Sequence, residues 1–523
     1  MDNRYDAIVI GSGIGGLTTA SILARIANKR VLLLERHFKF GGFTHVFKRH
    51  EFAWDVGIHY IGGMQPGNTL RQIVDWLTAE KVEWNRMADP FERFIYPGFQ
   101  FEVNSSPTHY LQDLKARWPE ESAAIDRYFK DVKAAASWFG RSTMLKAMPS
   151  FLSAMAAPLS LAGKRMALLT THQYLHSRFR SPELRAVLAS QWGDYGLPPS
   201  QSAFAIHALI VSHYLEGAYY PVGGAASLAH SIVPQLEQFG GKALLYQDVQ
   251  EILTENGRAR GVRVQHRQGD GTQEFEYLAP VVISDAGLKN TMLRMLPKAD
   301  FSFKKELEDF SQGTSNVTLY LGLKESPSSV GLNGANLWIY DSLDHDRNFA
   351  DRNRLLHGKP AAMYASFPSM KDPAARSHTA ELISFLDYHP FSDWSAREWK
   401  NRGAEYDELK LRMQNHMLER MDDVVPGFSN LVSYAELSTP LTNEHFSGHP
   451  RGSIYGLACI PERFKKKWIG IYTPIKGLYI TGADAASPGF AGAMMGGFGC
   501  AARIIGFGGI RKLFQEMDNK NRK

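Results

Sequence analysis

Cysteine is nearly absent: a chain of 523 residues has two, Cys459 and Cys500, in no C-x-x-C spacing. That argues against a disulfide framework and against a cysteine metal site, and no metal centre is expected. No low-complexity tract points to disorder, and the length suffices for two or three intertwined domains around a large core. The most apolar run, Pro149 to Gly163, is too short to span a bilayer and carries two prolines. A first strand beginning at Asp6 leaves no room for a cleavable signal peptide. The expectation is a reducing, cytoplasmic setting, with the protein soluble or peripheral on the cytoplasmic face of a membrane.

Acid is missing from one long segment. The net charge is a mild +6, from 59 basic against 53 acidic residues, yet residues 132–182 hold no Asp or Glu. They do hold Lys133, Arg141, Lys146, Lys164, Arg165, Arg178 and Arg180. Trp138, Phe139, Met144, Leu145, Met148, Phe151, Leu152, Met155, Leu159 and Leu161 lie among them. Such a stretch suits docking on an anionic membrane surface, and it equally suits a buried cap helix pair with a solvated basic side. Nucleic acid is not expected, because no binding motif accompanies the charge.

What is present is organised around residues 1–42. Asp6 to Ile10 is a short apolar strand, and Gly11-Ser12-Gly13-Ile14-Gly15-Gly16 follows at once. In this G-x-G-x-x-G, Gly11 permits a tight turn, Gly13 lets backbone approach a pyrophosphate, and Gly16 lets the next helix pack closely on the strand. That helix carries Leu17, Ala20, Leu23, Ala24 and Ala27 at helical spacing, and its N-terminus offers N–H groups to phosphate. Val31 to Leu34 forms a second strand and delivers Glu35, whose carboxylate can accept both ribose hydroxyls and would repel a 2′-phosphate. Gly15 and Arg36 belong to the same cofactor-facing set. No second G-x-G-x-x-G in strand context provides a separate NAD(P)H domain.

The fold class expected is α/β: a Rossmann-type FAD-binding domain of the amine oxidase or p-hydroxybenzoate hydroxylase type, with an interleaved mixed α+β substrate domain. The cofactor domain falls in three parts, residues 1–65, 219–290 and 471–508. Residues 66–218 form the first cap insertion, helical from Asn68 to about Leu188, and residues 291–470 form the second half of the substrate domain. Residues 509–523 are a tail, with a short amphipathic helix expected from Phe507.

The Gly41-Gly42 pair after Glu35 resembles the extended signature of amine-oxidase and phytoene-desaturase flavoproteins. Asp55-Val56-Gly57-Ile58-His59-Tyr60-Ile61-Gly62, Gly193-Asp194-Tyr195-Gly196, His213-Tyr214, Tyr219 to Gly224, Ser284 to Leu288, Thr439 to Asn443, Pro450-Arg451-Gly452, Thr473 to Ile475 and Leu478 to Asp484 extend the match along nearly the whole chain. The sequence resembles the phytoene desaturase and carotenoid isomerase superfamily of FAD proteins, most closely its retinol saturase branch. It departs where that family often carries cysteines, having Phe43-Thr44 and Ser487-Pro488 instead.

The resemblance implies that Gly41 and Gly42 approach the FAD diphosphate and that Val249 touches the adenine through its backbone. It implies that Asp484, beside Gly482, holds a ribityl hydroxyl. It also implies that the helix start around Gly492 and Ala493 faces the flavin N1 and O2 edge. The implied substrate is a long apolar polyene, retinoid, carotenoid or unsaturated fatty acid, with an unidentified electron donor or acceptor. Saturation uses hydride from flavin N5 and a proton donor; desaturation and cis–trans isomerisation are the alternatives. Candidate donors are His59 and Tyr60, then His213, with His45 and Tyr214 behind them. Arg451 is read as facing cofactor or a substrate carboxylate, or as a surface ion pair, and His207 as core or surface. A non-catalytic lipid chaperone, as in Rab GDP-dissociation inhibitors, is the rival from another class. Amine oxidation is a third option, disfavoured by the absence of an aromatic pair near the terminal motif.

Overall fold

Ala7–Ile10 and Val31–Leu34 are fully buried strands. Their apolar residues do not alternate with polar ones because both sheet faces are covered, the signature of a parallel sheet. The computed structural model describes residues 3–147, 155, 158, 161–268 and 271–520. Its central sheet has five strands in the order Lys242–Leu244, Val31–Leu34, Ala7–Ile10, Val282–Ser284, Leu478–Ile480. All neighbours are parallel, with Ile8 opposite both Leu32 and Val282. The strands thus come from all three cofactor segments.

Helix Ile14–Ala27 leaves the first strand and stops at Asn28, which adopts left-handed backbone. The last helix, Gly489–Lys520, lies against it. Close approach requires glycine: a Cβ on Gly497 would overlap Gly15 O, and one on Gly16 would overlap Gly11 O. Gly489–Asp518 is long and apolar enough to cross a membrane by length and composition, which the Pro149 to Gly163 run is not. The tail is helical from Phe507 as expected: a second helix runs on to Lys520 from Gly506, where the backbone leaves helical geometry. Beyond it Leu513 and Met517 are buried, Lys512 Nζ donates to Ile26 O, and Glu516 pairs with Arg25 at 3.0 Å.

The substrate domain is built on a seven-stranded sheet: Val432–Ser438, Asn316–Leu323, His378–Phe385, Ala362–Ser366, Asn336–Tyr340, Glu92–Tyr96, Phe99–Val103. Two of these strands, with Trp84–Arg86, interrupt the region expected to be helical from Asn68 to Leu188. The alternating burial of Glu92, Phe94 and Tyr96 has period two, and Gly98 turns the chain with φ +83. Gly271–Leu278, exposed on both faces, adds a third strand to the antiparallel Gln247–Glu255 and Arg258–Gln268 pair.

The cap segment divides. Trp138 and Phe139 are buried, whereas Met144, Met155 and Leu161 are exposed, as are Lys164 and Arg165. Lys146 does not join the solvated basic face, because its Nζ donates inward to Lys466 O and Ile469 O. Met148, Phe151, Leu152 and Leu159 lie outside the described residues.

Candidate active site

The glycine turn opens on a cavity of about 930 Å³, near the top of the roughly 300–1,000 Å³ range of cofactor and ligand pockets. Gly11, Gly13, Gly15, Glu35, Arg36, Gly41, Gly42, Val249, Asp484 and Ala493 all line it. The first helix begins at Gly13 with no side-chain cap and no acid in its first turn. Gly16 N–H in that turn donates to Asp285, and the amides ahead of it are left to meet an anion, which fits the diphosphate of a dinucleotide.

Ser12 ties both glycine motifs together. Its N–H and Oγ donate to Glu35 Oε2 at 2.9 and 2.6 Å, and its Oγ accepts from Gly41 N–H at 3.1 Å. Glu35 Oε1 accepts from His37 N–H at 2.8 Å. The carboxylate expected to receive ribose hydroxyls is thus already oriented, with lone pairs left on a cavity wall. Asp484 is likewise engaged, accepting from Leu288 N–H and Leu457 N–H at 2.8 Å each.

Gly16, Gly482 and Gly492 do not line the cavity; they serve packing. A Cβ on Gly482 would overlap the Asp285 carboxyl, and one on Gly492 would overlap Ser487. Asp285 itself lies under the turn, close enough that a Cβ on Gly13 would meet its Oδ2. Burial pushes its carboxyl up to about 8, aided by Glu35 and Asp484 and opposed by a hydrogen bond from Gly16. It is protonated at neutral pH and so presents no charge to a diphosphate.

Beyond the cradle the cavity becomes an aromatic chamber, with Trp192, Trp338, Tyr340, Tyr364 and Phe385 on its walls. Asp194 and His59 are among the titratable groups that face it. Asp194 accepts from Tyr60 Oη at 2.8 Å, and burial raises its carboxyl to about 7 while that hydrogen bond pulls the other way. His59 Nδ1 lies 2.7 Å from Oε2 of the fully buried Glu381. Lys371, also buried, donates from Nζ to His59 O at 2.9 Å and to Ser366 Oγ at 2.8 Å. Burial brings its ammonium down to about 7. Glu92, raised by burial to about 8, accepts from the indole of Trp338. Asp55 accepts from Tyr220 and from Ala225 N–H, which fastens the returning chain to the 55–63 loop.

His59 therefore lines the chamber, as does His45. Tyr60 does not: it lies behind the wall, stacked on Tyr214 with centroids 4.3 Å apart, and acts on Asp194. The chain turns there, so neighbouring residues face opposite sides. His213 is a correction: it lies off the cavity wall, and its Nε2 accepts from Gly62 N–H at 2.9 Å, a backbone anchor. Burial lowers it to about 4, leaving it neutral. His207 is core, with Nε2 2.8 Å from Tyr128 Oη, and Arg451 is exposed and off the cavity wall. Asp194 and Asp285 lie inside Gly193-Asp194-Tyr195-Gly196 and Ser284 to Leu288, motifs that assign them no role; Glu381, Lys371 and Glu92 lie in no motif. Among the described residues no His, Cys, Asp and Glu cluster could hold a metal, and both cysteines are buried and free.

Comparison with known proteins adds the following. Residues 9–77 match the NAD(P)-binding Rossmann-like domain. The chain is 34% identical over 526 residues to the all-trans-retinol 13,14-reductase of Danio rerio, covering 96% of this chain and 86% of that one. It is 26% identical over 550 residues to prolycopene isomerase 1, chloroplastic, of an Oncidium hybrid cultivar, covering 98% and 86%. A putrescine oxidase triple-mutant structure superposes with a TM-score of 0.64 at 14% identity, covering 96% of this chain and 99% of that one. The α/β architecture is thus that of this oxidase, and the Rossmann-like match is to a nucleotide-binding domain.

Proposed function

Because the chain belongs to the all-trans-retinol 13,14-reductase family, the retinol saturase branch of the carotenoid desaturase and isomerase superfamily, we propose that it saturates a double bond of a retinoid-like polyene with FAD as resident cofactor. Family membership makes it an oxidoreductase of carbon–carbon double bonds. The observation that carries the finer reading is the single cavity running from the glycine cradle into an aromatic chamber with Asp194 and His59 on its wall.

Gly11, Gly13, Gly15, Glu35 and Val249 would hold the adenosine diphosphate, and Asp484 and the helix start at Gly489 to Ala493 the flavin end. When bound, FAD supplies hydride at its N5. The protein's part is placement and the proton. Trp192, Trp338 and Tyr340 exclude water and orient an apolar chain, converting encounter into a held geometry. Saturation needs a proton on the carbon next to the one reduced. Asp194, neutral up to about pH 7 and fixed by Tyr60, holds one at its carboxyl. His59, fixed by Glu381, is the other donor on the wall. The similarity to a prolycopene isomerase favours redox-neutral isomerisation as the second reading. The exposed Met144, Met155 and Leu161 beside Lys164 and Arg165 support peripheral docking on an anionic membrane of the cytoplasmic face.

The test is anaerobic mixing of oxidised and chemically reduced protein with all-trans-retinol, a carotenoid and a polyunsaturated fatty acid, following flavin and polyene bands together. Reoxidation of reduced flavin with loss of conjugation is the expected outcome. Bleaching of oxidised flavin with gained conjugation would make it a desaturase, isomer change without net flavin change an isomerase, and a colourless protein a lipid carrier.

A further inference from the structure

Arg402 is 7% exposed and lies on the cavity wall, yet its Nε has no hydrogen-bond partner. Among the described residues no carboxylate comes within ion-pair distance of it. A buried guanidinium without an acid is costly, and proteins retain one where a ligand completes it. A second cation converges on the same spot. Lys410 follows Tyr406 by one turn of the helix Ala404–Val424, and Arg402 lies just before that helix, ahead of its cap Gly403. Arg402 Cζ lies 5.3 Å and Lys410 Nζ 5.9 Å from the centroid of the Tyr406 ring, and all three line the cavity.

The acid of this wall is already used. Glu436 pairs with Arg49 at 2.8 Å and accepts from Tyr434 Oη at 2.9 Å. Tyr406 Oη is 2.6 Å from Thr439 Oγ1, which holds the ring in place beside the cations. Asp407 also faces the cavity but is solvent-exposed and forms no ion pair with either cation within 4 Å.

We propose that Arg402 and Lys410 form an anion site at one end of the cavity, which takes the carboxylate or phosphate of a ligand whose apolar part occupies the aromatic chamber. The inference rests on the polyene reading for the nature of that apolar part, and it deepens it by naming the head group. Two cations close to one ring offer donors to a carboxylate or to phosphate oxygens, and a neutral alcohol would leave the Arg402 guanidinium uncompensated.

The experiment is equilibrium binding by quenching of tryptophan fluorescence, for which Trp338 and Trp399 on the cavity wall are reporters. The probes are all-trans-retinoic acid and all-trans-retinol, the same chain with and without the anion. The wild-type protein should bind the acid at least about tenfold more tightly than the alcohol, a margin typical of a buried charge-assisted pair. Arg402→Gln and Lys410→Met should each remove most of that preference with little change for the alcohol, and Arg402→Lys should restore part of it. Equal affinities in the wild type, or a preference that survives both neutral variants, would overturn the proposal. If Arg402→Gln does not fold, Lys410→Met decides. Competition by NADPH that Arg402→Gln abolishes would overturn the proposal by giving the site to a nucleotide; competition absent in a protein that prefers the acid supports it. Because binding is read without turnover, failure of the saturase reading would leave this result standing on its own.

Discussion

Oε2 of Glu381 sits 2.7 Å from Nδ1 of His59, and Oε1 of the same buried carboxylate has no hydrogen-bond partner in the structure. The carboxylate thus commits one oxygen to the imidazole and sets which ring nitrogen carries the transferable proton. His59→Ala should lower turnover by about 10²-fold or more, the usual scale of general acid–base catalysis. Glu381→Gln should cost about 10- to 100-fold with unchanged flavin content, and should alter the pH profile as well as the rate. Wild-type rates in both flavin-replete variants would remove the pair from the mechanism.

Asp194 supplies the pH dependence. Its carboxyl is held up to about 7 by burial, so the donor is complete below that value and is lost as pH rises through it. The rate of flavin reoxidation by polyene should therefore fall on the alkaline side of about pH 7. Tyr60 stabilises the charged carboxylate through its hydrogen bond, so Tyr60→Phe should move this limb to higher pH. Asp194→Asn should abolish the limb and lower the rate by about 10²-fold or more. Stopped-flow traces from pH 5.5 to 9 check both; a limb unmoved by either substitution speaks against Asp194.

Cofactor retention should carry a separate pH signature. Asp285 keeps its proton until about pH 8 and then places a negative charge beneath the glycine turn. Affinity for FAD should weaken above that pH, by at most about tenfold per unit for one proton. Asp285→Asn should flatten the curve. Titration of flavin-stripped protein with FAD at pH 6.5 to 9.5 measures it, and a variant with the wild-type slope would contradict this role.

Two glycines should respond in opposite directions to the same added methyl group. A Cβ on Gly15 would meet the backbone of Gly482, whereas one on Gly140, in the exposed middle of helix Ser122–Ala147, meets nothing within 4 Å. Gly15→Ala should destabilise by about 1–3 kcal/mol, the cost of overpacking, and reduce FAD content. Gly140→Ala should stabilise by about 0.5–1 kcal/mol. Thermal unfolding of the two variants beside wild type distinguishes them.

The cofactor half of the site was legible in the sequence because a diphosphate imposes local constraints: glycines at fixed spacing, a strand before them and an acid after the next strand. Gly11 to Gly16, Glu35 and Gly41-Gly42 sit within one stretch, so no long-range contact had to be guessed. The chamber has no such signature. Glu381 meets His59 across 322 positions of chain, and its strand, His378–Phe385, reads as ordinary alternating sheet. Lys371 and Arg402 read as surface cations until the fold buries them. Tyr60 and His213 have the side-chain chemistry of proton donors and lie in motifs of the resemblance, but whether a residue faces the chamber or the packing behind it depends on tertiary contacts that no local motif encodes. The strands Glu92–Tyr96 and Phe99–Val103 are hidden among helices because they join a sheet whose other strands come much later in the chain, where Asn336–Tyr340 pairs with Glu92–Tyr96, and Trp84–Arg86 because its partner is Ala218–Pro221.

The interleaved central sheet also sets an order in time. Ala7–Ile10 is flanked by Val282–Ser284, whose own outer neighbour is Leu478–Ile480, and the last helix must close on Gly15 and Thr18. During synthesis the glycine turn emerges first, yet the wall that covers it emerges last. The nascent chain must hold its most apolar strands without their final partners through nearly the whole of translation, exposed to the association that unpaired strands invite. Completion of the cofactor site is therefore a late event of folding, and a ribosome that stops short of residue 478 leaves a chain without Asp484 and the helix start at Gly489 to Ala493, with no finished place to bind.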